Sequence, residues 1–316
     1  MKSKIFSIIF SFGALGATLS LGFFAIVLNA NTLGPVDFGS FILVITFSTI
    51  AAQLIGLGYS DVVMLNGIRD PNLISSHAAT AVALSIISAI FIVPVLFFIA
   101  GYAVEKFSYY ILLLTISESF GQRLITIAEH TAIADRRTRT ADTIRVAAAA
   151  IKLLPAPIVL VSGATPVFEL FCVLYFFVTI IGAIGSLLCA RVDIMHPARL
   201  TESNMRTAMT FMASGFSRFS AQSSDRIAIA YAAISPDISG VYLLGSRIYQ
   251  VVTSLIQALQ KHFVIFFYGS ELKTLQGRRV HIFSSSFAAG LAIAISVYLC
   301  SSYLSFSFLL NMMAQF

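Results

Sequence analysis

Residues 5–60 read "IFSIIFSFGALGATLSLGFFAIVLNANTLGPVDFGSFILVITFSTIAAQLIGLGYS". An apolar run ends at Asn29, a short connector follows, and a second apolar run starts at Phe38. About 20 such residues, wound as a helix, cross the roughly 30 Å hydrocarbon core of a bilayer. A membrane β-barrel would instead alternate polar and apolar residues in runs of about ten, and neither run does so. The pattern recurs along the whole 316-residue chain, whose mean hydropathy is +0.91 and of which only 11% of residues are charged. Soluble domains carry about 25% charge. The sequence therefore predicts an all-α, polytopic membrane helical bundle. The basic start "MKSK" resembles a signal peptide, but the apolar stretch behind it is too long and no small-residue cleavage site follows. It is read as a first span.

Working outward, spans are expected at 5–29, 38–60, 78–102, 107–128, 146–162, 167–190, 208–233, 239–262 and 282–305, with "FSFLLNMMAQF" as a C-terminal stub. The connections alternate in character. "NANTLGPVD", "AVEKF", "SGATP" and "SPDIS" are short, whereas "NGIRDPNLISSH", "AIADRRTRTADTIR", "RVDIMHPARLTESNMR" and "KHFVIFFYGSELKTLQGRRV" are long and basic. Among the short connections only Lys106 is basic. Basic residues collect in cytoplasmic loops, so the N-terminus and the long loops are expected in the cytoplasm and the end of span nine in the periplasm. The net charge of +6 is thus spent on topology, and no nucleic-acid partner is expected.

The first connector returns later in the chain. At an offset of 201 residues, Pro35 falls on Pro236, Gly39 on Gly240, Phe41 on Tyr242 and Leu43 on Leu244. Tyr102 and Phe107 find Tyr303 and Phe308 at the same offset. Proline stops an incoming helix and glycine lets the chain turn closely. Six spans separate the copies, so the two halves would share one orientation as a parallel repeat. This predicts a six-helix N-terminal lobe, 1–200, and an incomplete C-terminal lobe, 201–316, of three helices and the stub. Either the lobes are asymmetric or the chain is a truncated form.

Charged residues inside spans are costly and face a bundle interior or a wet cavity. Arg123, Lys152, Arg218, Arg226 and Arg247 are the bases so placed, with Glu118 and Asp225 as the acids. At about 100° per residue, span four carries Thr115, Glu118, Gln122, Thr126 and Glu129 on one face, with Arg123 to the side. Span seven carries Ser214, Arg218, Gln222 and Asp225, and span eight Arg247, Gln250, Ser254, Gln257 and Lys261. These stripes read either as cavity walls or as interior ion pairs, Asp225 with Arg247 or Arg218 and Glu118 with Arg123 or Lys152. Bases outnumber acids, which leaves positive charge for an anionic ligand. Cys172, Cys189 and Cys300 sit in apolar runs at no metal-ligand spacing and are expected to pack as small buried groups. There is no phosphate-binding loop, no catalytic constellation, and no cofactor or metal is expected.

"LGPVDFGSFILVITFSTIAAQLIGLGYSDVVM" and "SSDRIAIAYAAISPDISGVYLLGSRIYQVVTSLIQALQ" resemble the second and the seventh-to-eighth spans of bacterial polysaccharide-biosynthesis membrane proteins. These are the O-antigen flippases of the multidrug/oligosaccharidyl-lipid/polysaccharide exporter superfamily. The resemblance includes the late aspartate of span seven (Asp225) and the Gly-x-Tyr pair (Gly240, Tyr242). It implies two six-helix bundles around a cavity, moving an undecaprenyl-pyrophosphate-linked oligosaccharide across the bacterial inner membrane by alternating access. The implied partners are that lipid, membrane lipids and other polysaccharide-assembly proteins. Arg218, Arg247, Arg123, Lys152, Gln222 and Gln250 would line the headgroup site. Asp225, Glu118 and Arg226 would serve coupling or ion pairing. The alternatives are a cation-coupled multidrug antiporter of the same superfamily, which wants an acidic cavity, a polymerase or acyltransferase, which wants a large outer loop or catalytic His/Asp site, and an inactive truncated flippase.

Overall fold

The computed structural model describes residues 2–104, 108–163 and 165–231. Every element among the described residues is helical. In chain order they are α1 (Lys2–Ala52), a 3-10 turn (Ile55–Gly58), α2 (Tyr59–Arg69), a second 3-10 turn (Pro71–Leu73), α3 (Ile74–Ala103) and α4 (Tyr109–Ile116). A π turn (Ser117–Gly121) leads into α5 (Gln122–Ala134), followed by α6 (Thr138–Ile151), α7 (Pro155–Ser162), α8 (Val167–Ala190) and α9 (Glu202–Tyr231).

The caps follow from local chemistry. Asp70 accepts a hydrogen bond from the Asn72 amide at 3.0 Å, and Pro71 opens the turn that leads into α3. Pro155 occupies the first turn of α7, whose C-cap Gly163 is left-handed. α1 is 51 residues long and breaks at Gly34 (φ 71°, ψ 172°), immediately before Pro35. The repeated connector is therefore a one-residue elbow in an otherwise helical chain. Its second copy, Pro236 and Gly240, and spans eight and nine lie outside the described residues.

Five helical segments are long and apolar enough to cross a membrane: Gly13–Gly34, Pro71–Ala103, Tyr109–Ala134, Thr138–Ser162 and Val167–Ala190. The pair Val36–Ala52 and Ile55–Arg69, bent by 50°, makes a sixth if counted as one span. Their surfaces are inverted relative to a soluble protein. On α3 the large residues Ile87, Ile90, Phe91, Val95 and Phe98 are exposed, while Ala78, Ala81, Ser85 and Ser88 are buried. On α8, Phe177, Ile181, Ile184 and Leu188 face outward, and Thr179, Gly182, Ala183 and Ser186 face inward. Small residues at helix contacts and bulky apolar ones outside are what a bilayer selects. The chain forms a helical membrane bundle.

Three expectations are corrected. Span two is not one straight helix, because Gly56, Leu57 and Gly58 all adopt positive φ (74°, 51° and 74°) and split it. "GLGYSD" is thus a bend within the segment. The connection 132–145 is almost wholly helical, with only residues 135–137 between α5 and α6. Helices close their own backbone hydrogen bonds, so they run on past the apolar boundary where Arg, Ala and Thr permit. Span seven falls on α9, which is not counted among the segments above; the expected span ends at residue 233, outside the described residues. Cys172 is buried, as expected, but Cys189 is exposed on the outer face of α8; Cys300 lies outside the described residues.

The two kinds of connection separate in space. The basic segments meet at one end, where Arg137 Nη2 donates to the Ala190 carbonyl at 2.7 Å and the Ala198 amide to the Ser76 carbonyl at 3.0 Å. The other end is an apolar core of Leu33, Phe38, Phe41, Ala100, Ile111, Ala156, Val159, Phe168 and Phe171.

Candidate functional site: the charged interior

The π turn decides what span four shows to the interior. A π turn inserts a residue into the helical register, so residues beyond it no longer follow the spacing of an uninterrupted helix. Glu118 lies within the turn and is 4% exposed. Arg123, which an unbroken helix would place to one side, is turned inward and is 5% exposed, whereas Gln122 and Thr126 are only partly buried.

Of the two bases proposed for Glu118, the structure pairs it with Lys152. Lys152 caps α6, just before the chain restarts at Pro155. Its Nζ donates to Glu118 Oε1 at 2.6 Å, and Tyr175 Oη donates to the same oxygen at 2.6 Å. The ammonium also lies 5.8 Å from the centre of the Tyr175 ring. Tyr175 is set by α8, where it packs edge-on against Phe41 (5.4 Å) and stacks on Phe171 (5.8 Å). The trio ties the π turn, α6 and α8 together beside the apolar core. A buried carboxylate with two donors is well satisfied, and removing either partner leaves a charge uncompensated.

A second network closes the basic end. Arg145 on α6 bonds Glu129 on α5 and reaches Asp142 at 3.5 Å. Asp142 also accepts from Ser11 Oγ of α1 at 2.5 Å. A third joins α2, α3 and α9. Tyr59 Oη lies 2.9 Å from His77 Nδ1, and Asn66 Nδ2 donates to Asn204 Oδ1 at 3.1 Å.

α9 leans on the bend through close backbone approach. A Cβ at Gly58 would lie 2.3 Å from the Ala208 carbonyl oxygen, and one at Gly215 would lie 2.9 Å from Gln53 Oε1. Further along α9, Ser214, Ser217 and Arg218 are exposed and Gln222 is partly buried. The Arg218 guanidinium sits 5.0 Å from the Phe219 ring and makes no ion pair among the described residues. Asp225 and Arg226 fall on α9 with side chains outside the description; Arg247 and Gln250 lie outside the described residues altogether.

The structure thus brings Glu118 and Lys152 together and leaves Arg123 apart from them. It adds Tyr175, Arg145, Asp142, Tyr59 and His77, which the sequence did not single out. Arg145 stands in a segment whose basic residues read as topology signals, and Tyr175 in an apolar run looks like bulk. Against known proteins, the chain matches no family model, no curated protein and no solved structure.

Proposed function

We propose that this chain translocates an undecaprenyl-pyrophosphate-linked oligosaccharide across the bacterial inner membrane by alternating access. The observation that carries the reading is the distribution of charge. Glu118, Glu129 and Asp142, the acids inside the described spans four and five, are engaged by Lys152 and Arg145. Arg218 is exposed on the most polar of the long helices, with no acid against it among the described side chains. An arginine so placed, on a helix read here as the seventh span, suits a diphosphate headgroup, which accepts its forked donors. An antiporter for cationic drugs would want the opposite balance.

In this reading nine spans form two parallel repeats, the N-terminus is cytoplasmic, and Arg247 faces the headgroup together with Arg218. Lys152 and Glu118 hold the first lobe together, which leaves Asp225 as the acid for coupling. The test is complementation. A host lacking its own flippase is supplied with this chain at verified membrane levels, and surface polysaccharide and trapped lipid-linked units are measured. Restoration is expected from the unaltered chain. Arg218→Ala and Arg247→Ala should each lower transport at least tenfold while the protein stays inserted. Normal transport by both variants removes the headgroup grip. Efflux of cationic dyes without polysaccharide would favour the antiporter.

A further inference from the structure

Between α8 and α9 the chain crosses the basic end as an irregular strap, residues 191–200, "RVDIMHPARL". The strap is fastened at both ends. Arg137 Nη1 and Nη2 donate to the Cys189 and Ala190 carbonyls at 3.3 and 2.7 Å, which anchors the end of α8. Further on, the Ala198 amide donates to the Ser76 carbonyl at 3.0 Å and to Thr80 Oγ1 at 2.8 Å, against the first two turns of α3. Between these points Asp193 closes a turn. Its Oδ1 accepts from the Met195 amide at 2.9 Å, and its Oδ2 lies 3.1 Å from His196 Nδ1. A turn held in this way fixes where its side chains sit, and what it presents is Ile194 and Met195, 58% and 77% exposed. Leu200, at the far end of the strap, is exposed as well.

The depth of the strap decides what covers those side chains. α8 turns Phe177, Ile181, Ile184 and Leu188 outward, and the next position in that stripe is Arg191, the exposed C-cap of the helix. On α3 the first exposed bulky residue after Thr80 is Ile86, about 9 Å further along the axis at 1.5 Å per residue. The headgroup region outside the hydrocarbon is about 5–8 Å deep on each side, so the strap lies at headgroup depth. There, apolar side chains meet the acyl boundary, and a guanidinium meets phosphate while its stem lies along apolar surface. Arg191 and Arg199 are exposed and make no ion pair among the described residues. A soluble protein partner needs about 800 Å² on each side, which three separated side chains do not supply. Lipid molecules need no such continuous patch.

We propose that the strap 191–200 is an interfacial anchor for anionic phospholipid, with Ile194, Met195 and Leu200 set into the acyl boundary and Arg191 and Arg199 each meeting a lipid phosphate. Anionic lipid is favoured because a zwitterionic headgroup offsets its own phosphate with an ammonium, whereas a net negative one attracts each nearby base. Asp193 does not cancel that attraction, since the turn and His196 already engage it. Anchored in this way, the end of α8 and the start of α3 are held at one depth. The site is distinct from the headgroup position assigned to Arg218 and Arg247, and it does not depend on the translocation reading.

The chain contains no tryptophan, so Ile194→Trp gives the full protein a single fluorescent reporter on the strap. The variant is reconstituted into vesicles of phosphatidylcholine and phosphatidylglycerol in which one lipid or the other is brominated near the top of its acyl chains, at equal mole fraction. Both should quench the tryptophan, the phosphatidylglycerol about threefold more strongly. Arg191→Gln with Arg199→Gln should remove that preference and leave the quenching by phosphatidylcholine. Ile181→Trp, deeper on the outer face of α8, should be quenched by deeply brominated chains with no preference between the lipids. Met195→Trp repeats the measurement if Ile194→Trp does not fold. No quenching at either strap position overturns the proposal and leaves the strap in water, open to a soluble partner. Equal quenching by the two lipids overturns it too, as apolar anchoring without selection for charge. So does a preference that survives in the double arginine variant. None of these outcomes touches the complementation result, which reads transport alone.

Discussion

The two ends of the described bundle are fastened by different physics. At the end with short connections, Phe41 meets Phe171 edge-on at 5.2 Å, amid Phe38, Ile111, Val159 and Phe168. At the basic end, α1, α5 and α6 are joined through Ser11, Asp142, Arg145 and Glu129, and α2 meets α9 through Asn66 and Asn204. In a bilayer the outside is as apolar as the core, so burying apolar surface does little to draw helices together. The apolar end holds because its side chains fit. The basic end holds because specific donors meet specific acceptors, and such contacts can be exchanged for others without repacking. Under the proposed alternating access, the basic end is the one built to part.

The largest effect is expected at the basic end. Arg145→Met leaves Glu129 and Asp142 without their shared cation, and breaking a buried pair from one side costs about 3–5 kcal/mol. Thermal unfolding of the purified protein should register that loss. Adding Glu129→Gln and Asp142→Asn should recover most of it, because neutral partners need no cation. If the triple variant is no more stable than Arg145→Met, the guanidinium serves packing and the contrast between the ends fails.

At the apolar end, Phe171→Ala removes a fully buried ring from contact with Phe41 and Tyr175. In soluble cores such a truncation costs about 3–5 kcal/mol, part of it the transfer of apolar surface from water. That part shrinks in lipid, leaving the cavity and lost contacts, so about 2 kcal/mol is expected. The loss should be insensitive to salt, unlike that of Arg145→Met. A Phe171→Ala variant as costly as the charge variant would mean that packing in this bundle behaves as it does in water.

How much of this was legible depends on what each signal measures. Apolar run length reports the cost of exposing a segment to lipid, and it located the five segments able to cross a membrane and the bent pair between the first two. It does not report backbone conformation. The bend at Gly56–Gly58 and the π turn at Ser117–Gly121 lie within apolar runs and leave their lengths unchanged. Helical phase placed Glu118 inward, but the π turn then moved Arg123 and Gln122 to other faces than uniform spacing assigns. The choice of Lys152 over Arg123 as the partner of Glu118 is tertiary, made by how α6 ends beside the π turn. Arg145 was hidden by its neighbours, since basic residues near a span end serve topology by default.

The smallest effect probes how the basic network is shared. Ser11 Oγ donates to Asp142 Oδ2, while Arg145 Nη1 approaches the other oxygen, Oδ1. Ser11→Ala alone removes one neutral donor and leaves Asp142 its arginine, so a loss of about 1 kcal/mol is expected. In the Arg145→Met background the same substitution removes the remaining donor to that carboxylate described here. The second loss should then exceed the first, because residues in one network do not add. A double-mutant cycle of thermal unfolding measures the difference. Additivity to within about 0.5 kcal/mol would mean that α1 and α5 grip α6 independently, and that the basic end parts one contact at a time. A clear excess would mean that it lets go as a unit.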